Sequence, residues 1–118
     1  MGGRMPELHV ETKGTEVWVR YDGEITFDVV EDLKVRMETV FAAPNWKTLI
    51  FDLEGVDFLD SSGIGFFVIL NNRCSQSGQK LILFRLRPQL RKTLALVNML
   101  HFFCIADDQD DVDANLVD

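Results

Sequence analysis

The sequence is poor in the residues that would staple a small protein covalently or place it in a membrane. Its 118 residues include two cysteines, Cys74 and Cys104, which we expect to be reduced thiols that behave as small, buried hydrophobic residues. Residues 1–5 lack the apolar run of a signal peptide. The longest nearly continuous apolar run, residues 64–70, is far shorter than the roughly 20 residues that cross a bilayer. These absences predict a cytoplasmic protein without membrane insertion.

Basic residues are also scarce. Twelve Lys and Arg stand against 19 Asp and Glu, for a net charge of −7. Six of the acidic residues are aspartates in residues 107–118, which contain no basic residue, so the rest of the chain is close to neutral. This balance argues against nucleic-acid binding, which needs clustered Lys and Arg. We expect residues 107–118 to form a disordered, solvated acidic tail, with binding to a basic partner surface as the alternative.

Hydrophobic residues are plentiful, at 47% of the chain with nine Phe, enough for the core of a single domain. We place this domain at residues 7–106, after a flexible N-terminus at residues 1–6. No Cys/His cluster has the spacing of metal ligands, and no phosphate-binding loop is present. The sequence therefore predicts no cofactor and no metal.

Periodicity predicts alternating strands and helices. β-branched and aromatic residues predict a strand at 17–21, and a strand at 7–11 before it forms the other half of a hairpin. A continuous apolar run at 48–53 predicts a strand covered on both faces. Helical spacing predicts a helix at 27–41 that Thr26 or Asp28 caps, and a second helix at 62–77 that Gly78 ends.

A strand at 80–84 and a helix from Pro88 to about Met99 continue this alternation, and residues 102–105 form a last strand or a packed extension. The order β-α-β-α-β-α implies an α/β domain with right-handed crossovers. We therefore predict a mixed, mostly parallel sheet of four to five strands with helices packed against it.

The segment Asp60-Ser61-Ser62-Gly63 lies where a strand gives way to a helix. Asp60 suits an N-cap, because its carboxylate can accept hydrogen bonds from the first helical turn. Both serines then lie at the exposed start of the helix, where a phosphate would be tolerated. Gly63 and Gly65 keep the turn slim, so that a partner's backbone could approach the hydroxyls. The alternative is that the segment is only a well-capped helix start.

The helix that follows is apolar around much of its circumference. Phe66, Ile69 and Leu70 would lie away from the sheet if the other apolar residues face it. Partly exposed apolar residues beside a serine turn form a plausible docking patch. Burial of the same residues under a neighbouring helix is the open alternative.

A catalytic role for Ser62 is not supported. The G-x-S-x-G elbow is absent, because Asp60 stands two residues before Ser62. The chain has two histidines, His9 and His101, and neither is placed by the sequence beside the serine as a base. We therefore predict that the protein is not an enzyme.

The segment 58–65, Phe-Leu-Asp-Ser-Ser-Gly-Ile-Gly, resembles the phosphorylation segment of STAS domains in the bacterial anti-sigma factor antagonist family. Further matching features are Gly23-Glu24-Ile25, the apolar strand at 49–53, Gly78, and residues 86–90 at the start of the last helix. The resemblance covers about residues 17–105. It implies that residues 7–106 form a STAS domain.

The resemblance also implies a mechanism of partner switching in transcription regulation. The unphosphorylated protein would bind an anti-sigma factor that is also a serine kinase of the GHKL ATPase type, and so free the sigma factor. The kinase would phosphorylate Ser62 and end the interaction, and a PP2C-type phosphatase would restore the active form. Asp60 would orient the turn and Ser61 would support it. The expected partner-binding residues are Glu24, Thr26, Asp60, Ser61, Ser62, Gly63, Gly65, Phe66, Ile69 and Leu70.

Two positions depart from the family pattern. Thr26 stands where many members have Asp, which puts any contact of that Asp in question. Asn98-Met99-Leu100 replaces a Ser-Gly-Leu turn, and because Asn tolerates a left-handed backbone better than Met does, we expect the helix cap to move to Asn98.

A second interpretation within the family is a non-switching scaffold, as a subunit of a lipid-transport ABC system or of a stress-sensing assembly. Members of that kind often lack a hydroxyl at the position of Ser62, which this chain has. The expected oligomeric state is a monomer or a weak dimer.

Overall fold

The structure is a computed structural model that describes residues 8–116. The predicted flexible N-terminus, residues 1–6, lies outside this range. Nine elements follow one another: β1 (Leu8–Lys13), β2 (Glu16–Tyr21), α1 (Phe27–Ala42), β3 (Thr48–Asp52), α2 (Ser61–Gln76), β4 (Lys80–Phe84), α3 (Pro88–Leu96), β5 (Cys104–Ala106) and α4 (Gln109–Ala114).

The strands form one five-stranded sheet in the order β1-β2-β3-β4-β5. β1 and β2 make an antiparallel hairpin, and β2, β3, β4 and β5 are parallel. The sequence prediction of a mixed, mostly parallel sheet is confirmed. Because each parallel strand is followed by a helix that returns over the sheet, the starts of α1, α2 and α3 lie at one end of it.

The two faces of the sheet are covered unequally. One face carries the main core, to which α1, α2 and α3 contribute together with Leu49 and Phe51 of β3. A smaller cluster on the opposite face contains Ile50 of β3, Ile82 of β4 and Val112 of α4. The prediction that the strand at 48–53 is covered on both faces is confirmed, since all five residues of β3 are buried.

Helix α3 ends at Leu96, three residues before the predicted Met99. Asn98 has a φ of +59°, and the N–H of Met99 donates to the carbonyl of Leu94 at 2.8 Å. The left-handed residue thus stops the helix and satisfies one of its last carbonyls. The predicted left-handed residue is thus found at Asn98, while the C-cap position itself is Val97.

The prediction of a disordered tail at 107–118 is wrong for residues 107–116, which form α4 and its flanks. The Asp108 carboxylate accepts a hydrogen bond from the N–H of Asp111 at 2.9 Å and caps the helix. Asp110 and Asp111 lie in the first turn, where negative charge is favourable. Val112 is fully buried in the smaller cluster. The aspartates therefore start a packed helix instead of solvating a loose end.

Both cysteines are free thiols, as predicted. Cys74 is buried in the main core, and burial raises the pKa of its thiol to about 12, which keeps it protonated and unreactive. Cys104 is only half-buried. No helix within residues 8–116 is long and apolar enough to span a membrane.

Val112→Ala should lower the free energy of unfolding by about 1–3 kcal/mol, because it removes buried methyl groups and leaves a cavity against the sheet. Asp113→Ala on the exposed side of α4 is the matched control and should change it by less than about 0.5 kcal/mol. Urea denaturation measures both. Equal stability of the two variants would show that α4 does not stabilise the domain.

Candidate functional site

Two loops meet at the end of the sheet where the parallel strands terminate. The loop 22–26 leads from β2 into α1, and the loop 53–60 leads from β3 into α2. A parallel bridge joins Ile25 to Leu59, with the N–H of Ile25 donating to the carbonyl of Phe58 at 3.0 Å. Nearer the strands, the N–H of Gly23 donates to the carbonyl of Gly55 at 2.9 Å. The two loops therefore form one hydrogen-bonded platform.

Asp60 connects the starts of two helices. Its Oδ1 accepts a hydrogen bond from the N–H of Gly63 in α2, and its Oδ2 accepts one from the N–H of Phe27 in α1, both at 2.9 Å. The prediction that Asp60 caps α2 is confirmed. Thr26 is the N-cap residue of α1, as predicted, but its side chain makes no capping hydrogen bond. The carboxylate of Asp60, which lies 33 residues further along the chain, supplies that hydrogen bond instead.

These hydrogen bonds lower the pKa of the Asp60 carboxyl, with the bond from Phe27 as the largest cause and the bond from Gly63 as the next. Both donors favour the ionised form, because a carboxylate accepts hydrogen bonds from backbone N–H groups better than a neutral acid does. The carboxylate is therefore ionised at neutral pH, next to the two serines.

Both serine hydroxyls are available to a partner. Ser61 is exposed and Ser62 is half-buried at the start of α2. Within residues 8–116, neither serine side chain makes a hydrogen bond. Both serines lie at the start of α2, where the sequence predicts them. We call residues 60–63 the serine turn.

The two glycines differ in what surrounds them. A Cβ at Gly63 would lie 2.2 Å from the carbonyl oxygen of Ile25, so the packing of α2 against the loop 22–26 requires glycine there. A Cβ at Gly65 would meet no atom within 4 Å. The missing side chain of Gly63 thus lets another part of the same chain approach. Of the two glycines, it is Gly65 that leaves space for a partner.

Of the two alternatives for Phe66 and Leu70, burial is confirmed, so their prediction as partner-binding residues is wrong. Both are buried in the main core, where the Phe66 ring centroid lies 6.2 Å from that of Phe51. The reason is that α1 packs beside α2 and covers the side of the helix that these residues occupy. Ile69 remains 47% exposed. Of the three predicted apolar contacts, it is the one that a partner can reach.

Two exposed aromatic residues near the serine turn were not predicted as site residues. Phe27, the first residue of α1, is 76% exposed, and Phe58, two residues before Asp60, is 48% exposed. Phe27 stands three residues before the buried Val30, so the helical spacing assigns it to the core stripe. Phe27 is nevertheless exposed, because it is the first residue of α1 and lies past the end of the sheet that the rest of the helix covers.

The loop 22–26 supplies the remaining predicted contacts. Glu24 is exposed and Thr26 is half-buried. The carbonyl of Glu24 accepts a hydrogen bond from the Tyr21 hydroxyl at 3.4 Å, which holds the loop against the end of β2. Both residues lie on the same platform as the serine turn, since Ile25 between them pairs with Leu59.

Neither histidine belongs to the serine turn. His9 lies on the edge strand β1 and His101 in the loop after α3, and both are exposed. No group of His, Cys, Asp and Glu suited to a metal ion occurs in the part of the chain that the structure describes. The serine turn presents the Ser61 and Ser62 hydroxyls on the same platform as the exposed Glu24.

Gly63→Ala and Gly65→Ala form a matched pair within one helical turn. Gly63→Ala should lower the free energy of unfolding by about 1–3 kcal/mol, because its Cβ overlaps the Ile25 carbonyl. Gly65→Ala should raise it by up to about 1 kcal/mol, because alanine favours helix and meets open space. Chemical denaturation distinguishes them, and a stable Gly63→Ala variant would contradict the close packing of the two loops.

Asp60→Asn should lower stability at pH 7 and lose this effect in acid. The pKa of Asp60 is lowered in the folded state, so its contribution is complete above the unfolded value of about 3.9 and is lost as the pH falls through the folded value. The difference in urea midpoint between wild type and Asp60→Asn should shrink from pH 7 to pH 3. Asp57→Asn, on an exposed residue of the same loop, is the control and should change the midpoint little at pH 7.

Comparison with known proteins identifies the family of this chain. The family model of the STAS domain matches residues 7–112. The anti-sigma F factor antagonist of Lysinibacillus sphaericus is 25% identical over 107 residues, which cover 91% of this chain and 91% of the relative.

Solved structures share the fold. An anti-sigma factor antagonist from Mycobacterium paratuberculosis superimposes with a TM-score of 0.81 and 21% identity, over 97% of this chain and 96% of its own. The Bacillus cell fate determinant SpoIIAA in the phosphorylated form gives a TM-score of 0.67 and 22% identity, over 92% of this chain and 98% of its own. With a family model that spans nearly all of its length, this chain belongs to the STAS domain family.

Proposed function

We propose that this protein is an anti-sigma factor antagonist that acts in the cytoplasm by partner switching. In its unphosphorylated form it binds an anti-sigma factor that is also a GHKL-type serine kinase, and the sigma factor is released. The observation that carries this proposal is the serine turn, where an ionised Asp60 holds two helix starts together and leaves the Ser62 hydroxyl accessible.

Ser62 is the proposed phosphoacceptor. Its position directly before Gly63 matches the family motif, and this resemblance selects it over Ser61. The kinase transfers the γ-phosphoryl group of ATP to Ser62 Oγ, which loses its proton, and ADP leaves. A PP2C-type phosphatase hydrolyses the phosphate ester and restores the hydroxyl. The phosphorylated relative from Bacillus supports the idea that the STAS fold accommodates this group.

The consequence of phosphorylation falls mainly on the partner. A phosphate adds a charge of about −1.5 to −2 and three acceptor oxygens at the start of α2, where the helix end favours negative charge. The hydrogen bonds that hold Asp60 lie within the platform, so the domain keeps its fold. A hydrated dianion on the docking surface, however, prevents the close contact that binding needs. The protein thus acts as a ligand and substrate of the kinase and needs no catalytic group of its own.

Incubation with the purified kinase and ATP should add one phosphoryl group, which mass spectrometry of the peptides places on Ser62. Ser62→Ala should bind the kinase persistently and remain unmodified, because only the acceptor is lost. Ser62→Asp should weaken binding, though less than phosphate does, because it carries less charge and fewer oxygens. Ser61→Ala is the control and should still be phosphorylated.

The non-switching scaffold gives the opposite pattern in the same experiment. It would show no modification of Ser62 and equal binding of Ser62→Ala and Ser62→Asp to its partners. Loss of kinase binding by a folded Ser62→Ala variant would also contradict the proposal, since the wild-type hydroxyl would then be a required contact.

A further inference from the structure

Two exposed aromatic residues flank the serine turn. Phe27 and Phe58, here called the aromatic pair, are 76% and 48% exposed. Exposed large aromatic side chains near one site mark an interaction surface, and aromatic residues are enriched among those that dominate binding energy. We therefore expect a partner to cover the aromatic pair.

The backbone of the aromatic pair is fixed by the platform. The N–H of Phe27 donates to Asp60 Oδ2 at 2.9 Å, and the carbonyl of Phe58 accepts from the N–H of Ile25 at 3.0 Å. Both residues are thus attached by hydrogen bonds to the two loops that present Ser62. A partner that binds these rings would order little additional backbone, which favours affinity.

The surface around the aromatic pair is acidic. Residues 22–33 and 53–72, which include both loops and the first turns of α1 and α2, contain no Lys or Arg. Glu24, Asp28 and Asp57 are exposed, and within the described chain they form no ion pair.

Three arginines lie at this end of the sheet. Arg20 pairs with Asp22 at 3.2 Å, and Arg85 pairs with Asp52 at 2.7 Å and with Glu54 at 3.1 Å, so carboxylates match both charges. Arg87, at the start of α3, donates to the backbone carbonyl of Glu54 and has no carboxylate partner within residues 8–116. The three carboxylates of Glu24, Asp28 and Asp57 outnumber this one cation, which leaves an excess of negative charge for a partner to match.

We infer that the aromatic pair anchors the kinase, and that the kinase presents an apolar pocket with Lys or Arg side chains around it, facing Glu24, Asp28 and Asp57. This inference rests on the proposed function, and it adds which residues provide affinity and what chemistry the partner surface has. Anchoring and switching are then carried by different residues of one surface. The two rings provide an apolar contact from which water is excluded. The phosphorylation state of Ser62 determines whether the two surfaces approach closely enough to form this contact.

The acidic residues have a second consequence for the rate of association. Opposite charges on two surfaces accelerate encounter, and salt screens the attraction. The association rate constant of the wild-type protein with the purified kinase should fall as NaCl is raised from about 0.05 to about 0.5 M. The fall should be smaller for the double variant Glu24→Gln, Asp57→Asn.

Phe27→Ala and Phe58→Ala, measured by calorimetry against the purified kinase, should each weaken binding about tenfold or more, as expected for an anchor residue. Phe102→Ala is the matched control. Phe102 is 44% exposed but lies in the loop before β5, at the opposite end of the parallel strands. It should change affinity less than about threefold. Melting temperatures identify any variant that does not fold. If Phe27→Ala does not fold, Phe27→Lys replaces it, and we expect Phe27→Lys to lose at least as much affinity.

The outcomes distinguish this inference from the proposed function. If Ser62→Asp weakens binding while Phe27→Ala and Phe58→Ala bind like the wild type, the anchoring role is overturned and the switch stands. An association rate that does not depend on salt overturns the basic character of the partner surface. If neither the wild type nor Ser62→Ala binds the kinase, the proposed function itself is wrong.

Discussion

The carboxylate of Asp60 is the interaction on which the geometry of the site depends. Each of its oxygens accepts a hydrogen bond from the start of a different helix, α2 through Gly63 and α1 through Phe27. The first N–H groups of a helix have no partners inside the helix. Here one ionised side chain accepts a hydrogen bond from such an N–H group in each of the two helices. The serine turn and the loop 22–26 are consequently held together through this carboxylate.

The same arrangement explains why glycine is needed at one position and tolerated at another. The carbonyl of Ile25 approaches the backbone of Gly63 so closely that a Cβ there would lie 2.2 Å from it. Gly65 has no such neighbour. The motif therefore combines a residue that fixes the two loops with one that faces open surface, and the sequence alone cannot assign these roles because both are glycines in the same turn.

Local patterns predicted much of the fold and less of the site. The limits of β4 and the cap on α2 were predicted because apolar runs, Asp60 and Gly78 act over a few residues. The hydrogen bond from Phe27 to Asp60 and the docking of Val112 were not predicted, because each depends on a contact between segments distant in sequence. For the same reason, the sequence left the exposure or burial of Phe66 open. Composition was misleading in the acidic tail, where aspartates act as a helix cap and a favourable first turn.

An anchor separate from the switch is consistent with the electrostatics of the serine turn. A phosphate on Ser62 would lie beside the Asp60 carboxylate, and the two anions would share the positive end of α2. Asp60 also has the N–H of Phe27 as a donor, so its position does not depend on α2 alone. Phosphorylation can therefore change the charge of the surface while the platform that carries Phe27 and Phe58 stays in place. Under the proposed function, phosphorylation would release such a domain from the kinase, and dephosphorylation would let it bind again without refolding.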